Sequence, residues 1–274
     1  MTLMVLATVL AGAAAGCVGV MLGVGGGIFL VPFLNLVVGL DYQSAAAVSL
    51  VTIIATSSIT AANTQQRNLA NLKLGMLMEA FSAPAALLAA YWAQSISEPT
   101  LRRVFALSAV GIAGIMLARL NKRNIVIDPL FQPGMLGGRF YEAESDAVVS
   151  YGVKRVPLAC AASAAAGMLS GLIGIGGGIV KVPVLNAWCG VPMRAAAATS
   201  ALMLGVTVVA SAIPYYLKGY IVLHYAAATV LGVLAGGQLG IWLAARVKVR
   251  RLKLLMILML LVVAGVMLLK GGRG

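Results

Sequence analysis

Charged residues are scarce in this chain, and acidic residues are the scarcest. Asp and Glu number 7 in 274 residues, Lys and Arg number 20, and all four types make up 10% of the sequence. A soluble domain carries roughly 25% charged residues, so an ordinary water-exposed surface is excluded. Because apolar runs of about 20 residues recur and strand-like alternation is missing, the sequence predicts an all-α integral membrane protein.

Cysteine, histidine and aromatic residues are also few. Cys17, Cys160 and Cys189 form no C-x-x-C pair and lie among apolar residues, which predicts buried free thiols and no metal site. With one His and no paired carboxylates or Ser/His/Asp set, we expect neither enzyme activity nor a cofactor. Aromatic residues make up 6% and form no base-stacking array, so the net charge of +13 indicates membrane topology rather than nucleic-acid binding.

One sequence motif occurs twice in this chain and divides it into two similar halves. Residues 23–35, GVGGGIFLVPFLN, match residues 174–186, GIGGGIVKVPVLN, at nine of thirteen positions after a shift of 151 residues. The same shift aligns the alanines at 45–47 with those at 196–198 and continues without a gap to 119 and 270. We therefore predict a membrane repeat at 1–119, a polar connector loop in solvent at 120–151, and a second membrane repeat at 152–274.

Each repeat is predicted to hold about four spanning helices and one half-helix broken by glycine. The segment after the first triplet, 28–38, is too short to span the bilayer, and so is its counterpart. Lys and Arg divide more unequally between the two sides if the repeats are inverted than if they are parallel. This asymmetry favours inverted repeats, with the connector and the 246–253 loop in the cytoplasm.

The glycine triplets are the strongest candidate binding site. Each glycine costs about 1 kcal/mol relative to Ala inside a helix, and a break leaves backbone N–H groups unpaired in hydrocarbon. The helix that follows each triplet offers free N–H donors and a positive dipole end, so the two breaks are predicted to bind one small anion. The alternative, close helix packing, suits the glycines at 12, 16, 19 and 23 better. The predicted ligands are Gly25, Gly26, Gly27, Gly176, Gly177 and Gly178.

Polar side chains near the triplets extend the predicted site. Lys181 is expected to pair with the anion; the alternatives are an interfacial position or a buried carboxylate partner. Glu79 is the candidate for proton coupling, although its place near the start of an apolar segment favours an interfacial role. The remaining candidates offer hydroxyl or amide groups that could instead cap or bridge helices. They are Asn35, Asn186, Ser49, Thr199 and Ser200.

These motifs resemble the TauE/SafE family of sulfite exporters and toluene-sulfonate uptake permeases. The second half carries the resemblance best, in GMLSGLIGIGGG at 167–178, KVPVL at 181–185, GVP at 190–192 and AAATS at 196–200. The resemblance implies a multi-pass protein of a bacterial-type inner membrane. It implies a secondary transporter of sulfite, thiosulfate or organosulfonates that is driven by an ion gradient.

Other functions remain open at this point. One alternative is a permease for a different small anion, and another is a non-transporting membrane scaffold whose glycines only pack helices. A cation permease ranks lower, because Glu79 is the one carboxylate inside a long apolar segment. The expected partners are a small anionic substrate and the lipid bilayer, and the sequence is compatible with a homo-oligomer.

Overall fold

The computed structural model describes residues 2–66, 69–118, 132–142, 147–247 and 249–271, which fold almost entirely into helices. The first half contains α1 (Thr2–Leu22), α2 (Gly27–Phe33) with a π-helical turn at Leu34–Val38, α3 (Tyr42–Gln66), α4 (Leu72–Ala93) and α5 (Glu98–Ala118). Two strands follow, β1 (Gly138–Glu142) and β2 (Ala147–Tyr151). The second half contains α6 (Val156–Ile173), α7 (Gly178–Ala187), α8 (Met193–Leu217), α9 (Leu223–Arg246) and α10 (Val249–Gly271).

Seven helices in the described part of the chain are long and apolar enough to cross a membrane: α1, α3, α4, α5, α6, α8 and α9. The apolar stretches of α2, α7 and α10 are shorter, and in α10 the stretch is Ile257–Met267. Large apolar side chains such as Leu10, Leu107 and Leu231 are exposed on the outside of the bundle, as a lipid-facing surface requires. The predicted class, a multi-pass all-α membrane protein, is confirmed.

The helices of the two halves begin at the spacing of the sequence motif. Each of α7, α8, α9 and α10 begins 151 residues after its counterpart among α2, α3, α4 and α5. Left-handed glycines recur at the same spacing, as with Gly25 and Gly176. The two halves therefore place the same elements at the same positions, while their duplication and the boundaries at 119 and 152 stay predictions.

Glycine allows α1 to pack closely against α9. A Cβ at Gly12 would lie 2.7 Å from the carbonyl oxygen of Thr229, and one at Gly16 would lie 2.9 Å from Cα of Val233. Both positions advance by four residues, so the two helices run in the same direction. The packing alternative that was open for Gly12 and Gly16 is therefore observed.

The pair α4 and α6 repeats this arrangement. The Ser163 hydroxyl donates to the Met78 carbonyl oxygen at 2.8 Å, and Gly167 lies against the Ser82 backbone one turn further along both helices. These helices also run in the same direction. Each close pair thus contains one helix from each half.

Contacts between two further pairs of helices fix the direction of α3 relative to α9 and of α8 relative to α4. The Thr52 and Thr229 hydroxyls are 2.7 Å apart, and Ile59 contacts Gly237, so α3 runs with α9. The Thr199 hydroxyl accepts from the Asn71 N–H, and the Thr207 hydroxyl is hydrogen-bonded to the Ser82 hydroxyl. Helices α8 and α4 are therefore parallel.

The link between α8 and α9, residues 218–222, is short, which makes these two helices antiparallel. It follows that α1, α3 and α9 point one way, and that α4, α6 and α8 point the other way. The inverted relation of the repeats stays a prediction, and these directions support it.

The described part of the connector contains a β-hairpin, so the prediction of a plain solvent loop is wrong there. β1 and β2 pair in antiparallel fashion, and Phe140, Val149 and Tyr151 are buried against the helices. The Asn71 amide donates to the Leu136 carbonyl oxygen at 2.8 Å and to the Tyr151 hydroxyl at 3.3 Å. Burial raises the pKa of Tyr151. The remaining connector residues, 120–131 and 143–146, lie outside the described residues.

All three cysteines are free thiols, as predicted. Cys189 is buried, but Cys17 and Cys160 are only partly buried, because each lies on a helix that reaches the outer surface. Among the described residues, no group of three or more His, Cys, Asp or Glu side chains could hold a metal ion.

Candidate substrate site at the two glycine breaks

The structure brings the two glycine triplets together in the interior of the bundle. Gly25 and Gly176 both lie against Ile53 of α3 and Leu204 of α8. A Cβ at Gly27 would lie 3.1 Å from the Gly174 carbonyl oxygen, so the start of α2 touches the break of the other half. All six triplet glycines are buried.

Backbone geometry explains the choice of glycine at the middle of each triplet. Gly26 has φ 76° and Gly177 has φ 71°, in the left-handed region that L side chains rarely adopt. A Cβ at these positions would also lie 2.6 Å and 2.7 Å from the carbonyl oxygens of Ala15 and Ala166. Gly26 and Gly177 are therefore required by the fold itself, whatever they bind.

The triplets place two helix starts at their meeting point. In α2 the Gly26 carbonyl oxygen first accepts from the Phe29 N–H at 3.1 Å, and in α7 the Gly177 carbonyl oxygen first accepts from the Val180 N–H at 3.1 Å. The N–H groups of residues 27, 28, 178 and 179 precede these bonds and have no acceptor within their own helices. Two positive dipole ends thus lie side by side in the bundle interior.

Ser49 and Ser200 link the two breaks. The Ser49 hydroxyl donates to the Gly174 carbonyl oxygen at 2.8 Å, and the Ser200 hydroxyl donates to the Gly23 carbonyl oxygen at 3.1 Å. Both side chains are fully buried, and each satisfies a carbonyl that the opposite break leaves outside a helix. The structure therefore places these two predicted residues at the triplets, with their hydroxyl protons bound to backbone.

Three predicted ligands lie elsewhere. The Asn35 amide donates to the Leu40 carbonyl oxygen at 2.8 Å, and the Asn186 amide donates to the Val191 carbonyl oxygen at 3.0 Å. Eight helical residues separate each Asn from its triplet, which is about 12 Å. The Thr199 hydroxyl accepts from the Asn71 N–H just before α4. The structure assigns these side chains to bridging and capping, the alternative that the sequence had left open.

Lys181 and Glu79 form an ion pair inside the bundle. The Lys181 Nζ lies 3.2 Å from Glu79 Oε2, and their side chains are 0% and 11% exposed. The Thr207 hydroxyl accepts from Nζ at 2.8 Å and donates to Glu79 Oε1. Ser82 Oγ lies 3.0 Å from the same Thr207 hydroxyl oxygen. The interfacial role favoured for Glu79 is therefore wrong, because its carboxylate reaches across to α7. For Lys181 the structure shows the carboxylate-paired alternative.

Several residues of the site had not been identified from sequence. Ile53 and Leu204, which pack on both breaks, are ordinary apolar residues and carried no signal. The Thr56 hydroxyl donates to the Gly25 carbonyl oxygen at 3.2 Å, and its counterpart Thr207 joins the ion pair. Their alignment under the 151-residue shift was a signal that could have singled them out.

Comparison with known proteins covers nearly the whole chain. A family whose description is "Sulfite exporter TauE/SafE" matches residues 8–267. The chain is 27% identical over 276 residues to the probable membrane transporter protein YunE of Bacillus subtilis (strain 168), an alignment that covers 96% of this chain and 97% of that relative. No solved structure matches.

Proposed function

The chain belongs to the sulfite exporter TauE/SafE family, and on that basis we propose that it is a secondary transporter of small sulfur-containing oxyanions. The family is one of membrane transporters, the relative from Bacillus subtilis is described as a probable membrane transporter, and the chain is a multi-pass protein of the cell membrane. Sulfite, thiosulfate and organosulfonates are the substrates that we propose.

The observation that carries this proposal is the meeting of the two glycine breaks. Two helix starts adjoin each other inside the bundle, at Gly27 and Gly178, and their first N–H groups have no acceptor within their own helices. An oxyanion offers several acceptor oxygens on a small volume and can accept from both helix starts at once. A cation would be repelled by the same two dipole ends, which argues against a cation permease.

Entry of the anion requires a different conformation from the one described. Ile53 and Leu204 pack against Gly25 and Gly176 and occupy the space beside the helix starts. We propose that α3 and α8, which carry these side chains, separate on one side of the membrane and then on the other. Inverted repeats supply two equivalent states for such an exchange.

Uptake by the purified protein in liposomes tests the proposal. Sulfite, thiosulfate, an alkanesulfonate and sulfate are offered separately, with and without imposed pH gradients. We expect saturable uptake of at least one of the first three anions. Absence of uptake of every anion in either direction would leave the scaffold alternative, and preference for an unrelated anion such as nitrate would leave a permease of different specificity.

A glycine variant tests whether anion uptake depends on the glycine breaks. Gly27→Ala places a methyl group against Ser49 Oγ and Ile53 at the meeting point, and we expect at least a tenfold loss of uptake. Gly111→Ala in α5 is the matched control, because a Cβ there meets no atom within 4 Å. Equal uptake by both variants in folded form would remove the glycine breaks from the proposed path.

A further inference from the structure

We propose, on the basis of the transport function proposed above, that Glu79 and Lys181 form a proton-operated anion switch. Protonation of Glu79 releases the Lys181 ammonium group from its ion pair, and the released ammonium binds the substrate anion. One proton therefore accompanies each negative charge that Lys181 takes up, and the coupling ion of the transporter is H⁺.

The geometry supplies every part of such a switch. The ammonium group has three N–H donors and, within the described residues, two acceptors, Glu79 and Thr207. A third donor is therefore available to an oxygen of the substrate before the pair is broken. Thr207 contacts both charged groups, so its hydroxyl can stay bonded to Lys181 after Glu79 has taken a proton.

The pair lies close to the glycine breaks. Lys181 stands in the first turn of α7, where its backbone N–H donates to the Gly177 carbonyl oxygen at 3.2 Å. On α8, Leu204 precedes Thr207 by three residues and contacts Gly25 and Gly176. The ammonium group is thus about one helical turn from the two helix starts, and its flexible four-carbon stem can turn towards an anion bound there.

Charge balance explains why the proton is needed. While Glu79 is ionised, the pair is neutral and its carboxylate repels an incoming anion. Once Glu79 holds a proton, the buried Lys181 carries an uncompensated positive charge, which an anion neutralises. Glu79 keeps a small exposed fraction and Lys181 keeps none, so the proton can reach the carboxylate without displacing the lysine.

Other titratable groups on the packed elements make different contacts. Arg194 of α8 donates to the Val247 carbonyl oxygen, Tyr215 of α8 donates to the Gly171 carbonyl oxygen, and Glu98 pairs with Arg102 in α5. Lys73, Cys160, Arg103 and Tyr216 also lie on α4, α6, α5 and α8, and the structure shows no bond from them to the pair within the described residues. Glu79 is therefore the acid whose protonation changes the charge facing Lys181.

Binding and proton uptake must then be linked. An anion that binds only when Glu79 is protonated binds about tenfold more tightly for each unit by which the pH falls, as long as most of the free protein holds the carboxylate ionised. By reciprocity, anion binding draws one proton from solution. A pair with a purely structural role predicts neither effect.

Thiosulfate and methanesulfonate are suitable probes, because both remain ionised across neutral pH and their own titration does not intrude. Wild-type protein in weakly buffered detergent solution is mixed with each anion while the Kd and the released or absorbed protons are measured. We expect absorption of one proton per bound anion, whether thiosulfate dianion or methanesulfonate monoanion, and a tenfold change of Kd per pH unit. Binding without proton absorption, together with a Kd that is independent of pH, would overturn the switch while leaving anion transport standing.

Two variants sharpen the test. Glu79→Gln mimics the protonated acid, so its Kd is expected to be independent of pH and proton-driven accumulation is expected to be lost. Glu98→Gln removes the carboxylate of the Glu98–Arg102 ion pair and is expected to keep the wild-type pH dependence. Retention of proton-driven accumulation by Glu79→Gln would also overturn the switch. Failure of the wild type to take up sulfite as well as both probes in liposomes would overturn the transport function itself.

Discussion

Lys181 and Glu79 have no charged counterparts at the corresponding positions of the other half. Both halves have a glycine break, a buried serine bonded to the opposite break, and a threonine about two helical turns after that serine. At positions 151 residues away from Lys181 and Glu79, however, stand Leu30 and Val230. The same architecture thus accepts either an ion pair or two aliphatic side chains at this point.

The comparison separates what the fold needs from what the second half adds. A buried ion pair costs several kcal/mol of desolvation per ion, and apolar replacements of similar size are often as stable or more stable. The first half shows that aliphatic residues can fill the corresponding positions, since Leu30 is fully buried. The shared residues therefore build the breaks, and the unshared charges are the part to which we assign coupling.

The largest effect is expected when only one member of the pair is replaced. Lys181→Leu copies the first half at one position and leaves Glu79 buried without its partner. We expect a loss of about 3–5 kcal/mol in the free energy of unfolding, together with loss of anion uptake. Unfolding in detergent and uptake in liposomes measure the two effects, with the exposed Lys218→Leu as the control.

The double variant Glu79→Val/Lys181→Leu copies the first half at both positions of the ion pair. It should recover most of the stability that Lys181→Leu loses, because no unpaired charge remains, while uptake stays absent. If the double variant were as unstable as the single one, the pair would serve packing, and the comparison between the halves would fail.

A smaller and equal effect is expected at the serines that both halves share. Ser49→Ala and Ser200→Ala each remove the donor of one buried carbonyl, at Gly174 and Gly23. Each should lower the free energy of unfolding by about 1–3 kcal/mol, by the same amount in the two halves. Thermal unfolding checks this, with Ser58→Ala as the control, since that exposed hydroxyl bonds only its own helix. A large difference between the two variants would contradict the equivalence of the breaks.

The smallest effect is expected at Gly114 and Gly265, which occupy corresponding positions in α5 and α10. A Cβ at either meets no atom within 4 Å, so Ala costs no packing and favours the helix. Each Gly→Ala change should raise the free energy of unfolding by at most about 1 kcal/mol. Destabilisation at one position only would show that the two helices have different surroundings in the membrane.

Much of the fold followed from composition and from the doubled motif. Glycine triplets inside apolar runs are a strong signal because consecutive glycines disfavour a continuous helix, and they marked the helix starts at Gly27 and Gly178. The β-hairpin escaped detection because its strands are five residues each and are surrounded by turn residues. A pattern that short does not stand out from a polar loop.

The candidate site was predictable as separate residues but not as a network. Lys181 and Glu79 each drew attention as charges inside apolar segments, yet a single sequence does not reveal that α4 and α7 reach each other through their side chains. Asn35 and Asn186 were misleading for a related reason. Their fixed distance from the triplets reflects equal half-helix lengths, and the structure uses their amides to close the turn that follows.

The glycine-packed pairs of α1 with α9 and of α4 with α6 have a consequence for how the molecule can move. Each pair joins a helix from the first half to one from the second, backbone against backbone. Separating the two helices of such a pair would lose their closest van der Waals contacts, so each pair should move as one rigid unit. The rigid bodies of the transport cycle are then helix bundles that each contain helices from both halves of the sequence. Cross-links within one helix pair should leave transport intact, whereas cross-links between the two pairs should stop it.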